Sequence, residues 1–356
     1  MNFKFWFNNA RPQALPQSVM PAIAAICWAS MSDNFFLPIA IVALIGIVFA
    51  HLSVDLLDDY FDYKNAGIES REKLHRAGMR ARIGKAPYLA EGQASLKTTF
   101  QVAALFGGIA ILCGLGVFLY WNNVRQVPQG GWPMVIIAAI GGFLGFFYSA
   151  RPFKLCYRGL GEVVTGIIFG PLLMAGMTYA AGGIIPAGTW LISTAIGLLV
   201  INILYTHSIM DAAPDISVGK KTLATLLGTP RRMLAGSFVF NFIPPVLLIL
   251  CYCMGYFQNW LPLLAVLTLP MAVSLFRLMV QYVKETNVKE GTIKGSESGS
   301  MPQPSKAERR WWMGPMSNWK AIEEAGIDWF MIRWFLSRNY ITNFVLVLAI
   351  TFLIHR

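Results

Sequence analysis

Apolar stretches long enough to cross a lipid bilayer recur along nearly all of the 356 residues, and nothing else in the sequence restricts the fold so much. A hydrocarbon core about 30 Å thick needs roughly 20 helical residues to span it. Inside lipid every backbone N–H and C=O must be bonded within the protein, which leaves helices or closed barrels. The runs here are continuous rather than alternating, so they select helices. Nine spans are expected, near residues 16–32, 36–57, 98–120, 132–149, 159–182, 187–208, 234–256, 259–280 and 338–354. With 56% hydrophobic and 13% charged residues, and a mean hydropathy of +0.54, the chain reads as an all-α polytopic membrane protein. One membrane domain covers 1–356.

The formal net charge of +11 could suggest a nucleic-acid partner, but the basic residues lie between spans. Lys64, Arg71, Lys73, Arg76, Arg80, Arg82 and Lys85 crowd the second loop, Arg151, Lys154 and Arg158 the fourth, and Lys220, Lys221, Arg231 and Arg232 the sixth. The intervening loops are almost uncharged. This is the pattern of the positive-inside rule, so no nucleic acid is expected. An odd number of spans then puts the amino terminus in the cytoplasm and the carboxyl terminus outside, in a bacterial inner membrane. Lys4 and Arg11 precede a full-length span with no clear small-residue cleavage site, so no cleavable signal peptide is expected. Cys27, Cys113, Cys251 and Cys253 fall within apolar segments and Cys156 on a basic loop, which suits free thiols.

The second span ends in HLSVDLLDDYFDYKNAG, residues 51–67. Asp55, Asp58, Asp59 and Asp62 share one helix face there. Ionisable groups at membrane depth are costly and usually functional. Hard cations with a bound phosphate would relieve the repulsion, because Mg²⁺ takes oxygen ligands and bridges a few carboxylates to a substrate phosphate. Asp211 and Asp215 repeat the four-residue spacing at a second inner helix end, followed by Lys220 and Lys221. Two acidic clusters on one membrane side, each trailed by lysines, suit a metal-bridged diphosphate. Pro214 interrupts the helix between the second pair. His51 and His207 each stand four residues before an aspartate, at a spacing that matches no zinc signature, so both are expected to line a pocket.

Between the clusters, Lys154 and Arg158 could hold a diphosphate, Arg by its fixed fork and Lys as a point charge, or could simply set topology. Arg11 is either an interfacial anchor or a phosphate contact. The basic stretch 63–97 is long enough to be a cytoplasmic cap over a polyanion. Residues 284–334 begin as a Gly/Ser/Lys/Glu linker and end in a segment carrying Trp311, Trp312, Trp319, Trp329 and Trp334, which suits the headgroup layer.

These blocks resemble the UbiA superfamily of intramembrane aromatic prenyltransferases over most of the chain. ARPQALPQSVMP is similar to that family's opening helix, DDYFDYK to its first aspartate motif, YSARPFKLCYRGLGE to the block after the fourth helix, and DAAPDISVGKKTLATLLG to its second motif. The RP-x-x-LP opening, the YSARPFKLCYRGLGE block and the GKKTLATLLG tail are most similar to the 1,4-dihydroxy-2-naphthoate polyprenyltransferases. The resemblance implies nine helices around a central cavity with both motifs at its cytoplasmic mouth. Asp58 stands where the family usually has Asn, and Met210 where Arg often precedes the second motif. The resemblance further implies Mg²⁺-dependent transfer from a polyprenyl diphosphate to an aromatic acceptor, with Asp58, Asp62, Asp211, Asp215 and Tyr148 catalytic. Arg11, Lys154, Arg158, Lys220 and Lys221 would bind diphosphate, and Ser149, Tyr205 and His207 would line the cavity. For dihydroxynaphthoate the resemblance implies release of carbon dioxide and diphosphate on the way to demethylmenaquinone, the quinone following on two-electron oxidation of the diol. Another acceptor (4-hydroxybenzoate, homogentisate or haem) and a non-catalytic carrier of isoprenoid phosphates remain rival readings.

Overall fold

A computed structural model describes residues 2–64, 86–217, 221–285 and 328–354. Lys220, the basic residues from Arg71 to Lys85, and Trp311, Trp312 and Trp319 lie outside them. Among the described residues the structure is helical, with no named strand and one isolated bridge between Arg158 and Lys221.

The helices are α1 (Phe3–Asn9), α2 (Pro16–Ala29), α3 (Leu37–Lys64), α4 (Pro87–Ala90), α5 (Leu96–Val124), α6 (Trp132–Phe146) and α7 (Gly161–Gly182). They continue as α8 (Gly188–Met210), α9 (Ala212–Ser217), α10 (Leu223–Leu227), α11 (Pro230–Cys253), α12 (Leu261–Lys284) and α13 (Asp328–Ile354). Each of the nine expected spans contains a helix, and among the described residues seven are long and apolar enough to cross a bilayer. The other two, α2 and α6, have 14 and 15 residues. At 1.5 Å per residue they cover only about 21–23 Å, short of the hydrocarbon core. The protein is an integral membrane protein.

Two boundaries differ from the sequence reading in ways that matter. Helix α3 runs past the expected end of the span near residue 57 to Lys64, so all four aspartates of the first cluster sit on regular helix, as their shared face requires. The last helix begins at Asp328 rather than near 338, which puts Trp329 and Trp334 on helical backbone.

Helix α8 is the central element, with Ile192, Ala195, Ile196, Leu199, Val200 and Ile203 essentially inaccessible. Close approach to α7 makes this possible. A Cβ on Gly170 would lie 2.5 Å from Gly197 Cα and 2.7 Å from Ser193 O, so only hydrogen fits. Around that core, Ile111, Leu112 and Leu267 are among the apolar side chains left exposed, as a lipid-facing surface requires. Pro244 and Pro245 lie inside α11, which membrane helices tolerate where neighbours satisfy the freed carbonyls. One such carbonyl, that of Asn241, accepts a bond from Tyr340 at 3.0 Å.

Candidate active site

The carboxylates of α3 share a face, but they are divided between two sets of partners. Asp59 is 2% exposed; its carboxylate pairs with Arg11 at 2.8 Å and accepts a hydrogen bond from Tyr88 at 3.4 Å. Arg11 also reaches Asp58 at 3.2 Å and donates to the Asp55 main-chain oxygen at 2.8 Å. Burial alone would lower the Arg11 pKa, but the carboxylates of Asp55, Asp59 and Asp58 outweigh it and hold the guanidinium above its ordinary value. Arg11 thus places its charge against the acidic helix at the mouth of the first span. It does so from a left-handed backbone conformation (φ 55°), an arrangement that costs about 1–3 kcal/mol and is typical of sites the surrounding structure over-determines.

Asp55 lies 3.6 Å from His51 Nε2, and His51 Nδ1 lies 2.6 Å from Ser18 Oγ. Both His51 and Ser18 are buried, so this histidine belongs to the packing between α2 and α3.

Asp58 and Asp62 have partners on the loop between α6 and α7. Ser149 donates to Asp58, and Tyr157 donates to Asp62 at 2.5 Å. Burial, reinforced by the Asp62 charge, pushes the Tyr157 phenol well above its usual pKa, so it remains a donor throughout the working range. Tyr148 is partly buried beside the same loop. Its phenol is likewise raised, first by burial and then by Cys156, Asp58 and Glu162.

The far side of this loop grips the second acidic region. Glu162 is 5% exposed; it accepts a bond from the Ser208 hydroxyl on α8 and one from the Leu223 N–H at 3.1 Å, at the start of α10. Arg158 and Lys221 meet in the isolated bridge. The loop therefore joins the carboxyl ends of α3 and α8 on one face of the membrane. Helix α8 stops at Met210, with Asp211 as its C-cap, and a separate turn carries Asp215, whose N–H bonds to the Asp211 carbonyl at 2.8 Å. The interruption falls at Asp211, and Pro214 lies within the short helix α9 that follows. Asp62 and Asp215 are both 8% exposed.

Lys154, Arg158 and Lys221 ring this end. Lys154, also left-handed (φ 45°), lies over the Tyr157 ring at 5.7 Å, and Arg158 and Lys221 are exposed. None of the three has an acidic partner within 4.0 Å among the described residues.

One expected cavity residue, Tyr205, is placed differently from expectation. Tyr205 is fully enclosed between α8 and α11; its hydroxyl donates to Met233 O at 2.9 Å, so it is a packing residue. His207 stands edge-on to Trp334 of α13, with ring centroids 5.7 Å apart. Sequence reasoning missed Tyr157, Glu162 and Tyr88. Glu162 alone carried a signal, as a carboxylate opening an apolar span.

Among the described residues no three acids, histidines or cysteines converge as a cage for a metal ion. The donors at this end are nevertheless oxygens, from Asp58, Asp62, Asp211 and Asp215. Mg²⁺ bound through one or two carboxylates plus substrate phosphate needs no such cage, so the donor chemistry fits that ion.

The chain is 28% identical over 273 residues to 1,4-dihydroxy-2-naphthoate octaprenyltransferase of Bacillus subtilis, covering 76% of this chain and 80% of that one. It is 26% identical over 300 residues to the protein of the same name from Escherichia coli, covering 82% and 91%. Among solved structures, a UbiA homolog from Archaeoglobus fulgidus bound to GPP and Mg²⁺ shares the fold, with a TM-score of 0.53 at 15% identity over 78% of this chain and 84% of that one. The model of the UbiA prenyltransferase family matches residues 18–291, the interval that holds both acidic helix ends and the loop between them, and the chain belongs to that family of prenyltransferases.

Proposed function

We propose that the protein transfers a polyprenyl group from a polyprenyl diphosphate to 1,4-dihydroxy-2-naphthoate, dependent on Mg²⁺, at the cytoplasmic face. The observation that carries this reading is the loop 148–162. It ties Asp58 and Asp62 on one side to the Asp211–Asp215 region on the other, and presents Lys154 and Arg158 beside them. The two dihydroxynaphthoate relatives support the choice of acceptor.

In this reading Asp58, Asp62, Asp211 and Asp215 hold the cation, which supplies charge neutralisation to the departing diphosphate. Lys154, Arg158 and Lys221 bind the remaining phosphate oxygens, as Lys220 would from outside the described residues. The allylic C–O bond breaks and the diphosphate leaves with the electron pair. Fixed positive charge aimed at that developing charge is the kind of stabilisation that usually dominates catalysis. Tyr157 and Ser149 hold the Asp62 and Asp58 carboxylates in place. Tyr148, with a protonated phenol, presents its ring to the allylic cation. A ring carbon of the acceptor then forms the new C–C bond, and carbon dioxide leaves as the electron pair of the ring–carboxyl bond returns to the ring.

Purified protein given dihydroxynaphthoate and polyprenyl diphosphate should release pyrophosphate only with Mg²⁺ present. Asp62→Asn and Asp215→Asn should each reduce turnover at least about 100-fold, near 2.7 kcal/mol of barrier. Full activity in both variants would refute the metal assignment. Faster turnover with 4-hydroxybenzoate, homogentisate or haem would replace the acceptor while leaving the chemistry intact.

A further inference from the structure

At the end of the bundle away from the aspartates, a cavity of about 200 Å³ opens between the carboxyl ends of α2 and α7, the turn before α12, and Phe352 of α13. Its wall combines the rings of Trp28, Tyr256 and Phe257 with the polar side chains of Thr178, Gln258 and Asn259; no acid, lysine, arginine or histidine lines it. Thr178 decides the chemistry. It is 1% exposed, and its hydroxyl has no hydrogen-bond partner among the described residues. A threonine inside a helix ordinarily returns its hydroxyl to a carbonyl one turn back, as Thr165 does in the same helix by donating to Gly161 O at 2.8 Å. Buried polar groups are nearly always paired, so a lone hydroxyl on a cavity wall marks where a ligand atom belongs. The neighbouring donors are already committed: Trp28 Nε1 to Thr189 at 2.9 Å and Ser32 to Gly182 O at 2.9 Å.

The volume suits a ring-sized head group rather than a whole ligand, for which pockets of about 300–1,000 Å³ are usual. An uncharged wall disfavours phosphate or carboxylate, since either would be desolvated without a counter-charge. Aromatic faces with an unpaired threonine hydroxyl among them suit a flat, neutral ring bearing carbonyl or hydroxyl oxygens. Ile184 at the margin is 49% exposed, so the opening is reachable from outside the bundle. We propose that this cavity binds the neutral quinone or quinol ring of a membrane lipid, at a site separate from the acidic end. The site goes beyond the proposed transfer reaction and does not depend on which acceptor that reaction uses.

The test is equilibrium binding of menadione, a neutral naphthoquinone, to the full-length protein in lipid nanodiscs. Thr178→Val removes the hydroxyl at nearly constant volume and should weaken binding about tenfold. Thr178→Ser should retain it, and Ile184→Trp, which plugs the opening, should abolish it. Turnover at the acidic end should stay within twofold in all three. Menadione binding untouched by both Thr178→Val and Ile184→Trp would overturn the proposal. So would tighter binding to Thr178→Val, the mark of a slot for an alkyl chain, or competition by a saturating prenyl diphosphate, which would place the probe at the acidic end.

Discussion

Tyr157 donates its hydrogen bond to a carboxylate that sits almost out of solvent, and that geometry gives the phenol a role no motif assigned to it. A hydrogen bond to a charged group contributes about 1.5–3 kcal/mol. Without it Asp62 can rotate away from the position that a bridging cation would require. Tyr157→Phe should therefore lower turnover about tenfold at limiting Mg²⁺ and recover partly as Mg²⁺ is raised; titrating the ion against both proteins checks this. The phenol is neutral in the folded protein and its pKa is raised, so its contribution is fully present below the ordinary tyrosine value. The ratio between the two proteins should stay constant from about pH 6 to about pH 9. Arg11 shows the opposite limit of sequence reading. Its position before the first span suggested an anchor or a phosphate contact, and only the fold shows that Asp58 and Asp59 lie against it. Nothing in a one-dimensional spacing links residue 11 to residue 59; the link is made by α2 and α3 running side by side.

Among the elements, the short loop between α6 and α7 has an influence out of proportion to its length. Glu162 fixes it to α8 through Ser208 and to α10 through the Leu223 N–H. Removing that carboxylate leaves the Leu223 N–H without its acceptor, at a cost of about 1–3 kcal/mol if it stays buried, while Ser208 keeps the Leu204 carbonyl at 3.1 Å. Glu162→Ala should lower the unfolding temperature and raise KM for the prenyl diphosphate more than it lowers kcat, because the cations on the loop lose their register. Glu162→Gln keeps an acceptor oxygen and should retain most of both; steady-state kinetics and thermal unfolding in detergent separate the two outcomes. The positions of the helices were legible from apolar runs because lipid leaves a chain so few alternatives. Their ends were not. Helix α3 continues through DLLDDYFDYK because Arg11, Ser149, Tyr157 and Tyr88 supply partners for carboxylates that would otherwise fray it. Helix α13 starts early because Trp334 and Phe335 pack inward. Tyr205 failed as a cavity residue for a related reason: its ring faces α11 instead of the bundle interior, and a residue number does not say which neighbour a buried face meets.

The molecule as a whole has a polarity that its loops make testable. The loop 148–162, the two acidic helix ends and the proposed diphosphate site lie at one end, while the uncharged cavity lies at the other. In the orientation we propose from the positive-inside rule, the aspartates would face the cytoplasm and the cavity the outer side. Two native thiols report on this directly. Cys156 sits in the loop beside Ser149, 3.4 Å from its hydroxyl, at the acidic end. Cys253 is exposed at the carboxyl end of α11, a helix of 24 residues and so about 36 Å long, on the cavity side. In variants retaining one of these thiols, a membrane-impermeant maleimide added to intact cells should label Cys253 and leave Cys156 untouched. After permeabilisation Cys156 should react, and a prenyl diphosphate with Mg²⁺ should slow it by covering the loop. The reverse pattern would invert the protein in the membrane and remove the cytoplasmic placement of the reaction, while leaving the fold and the pairing of the two acidic ends as they are.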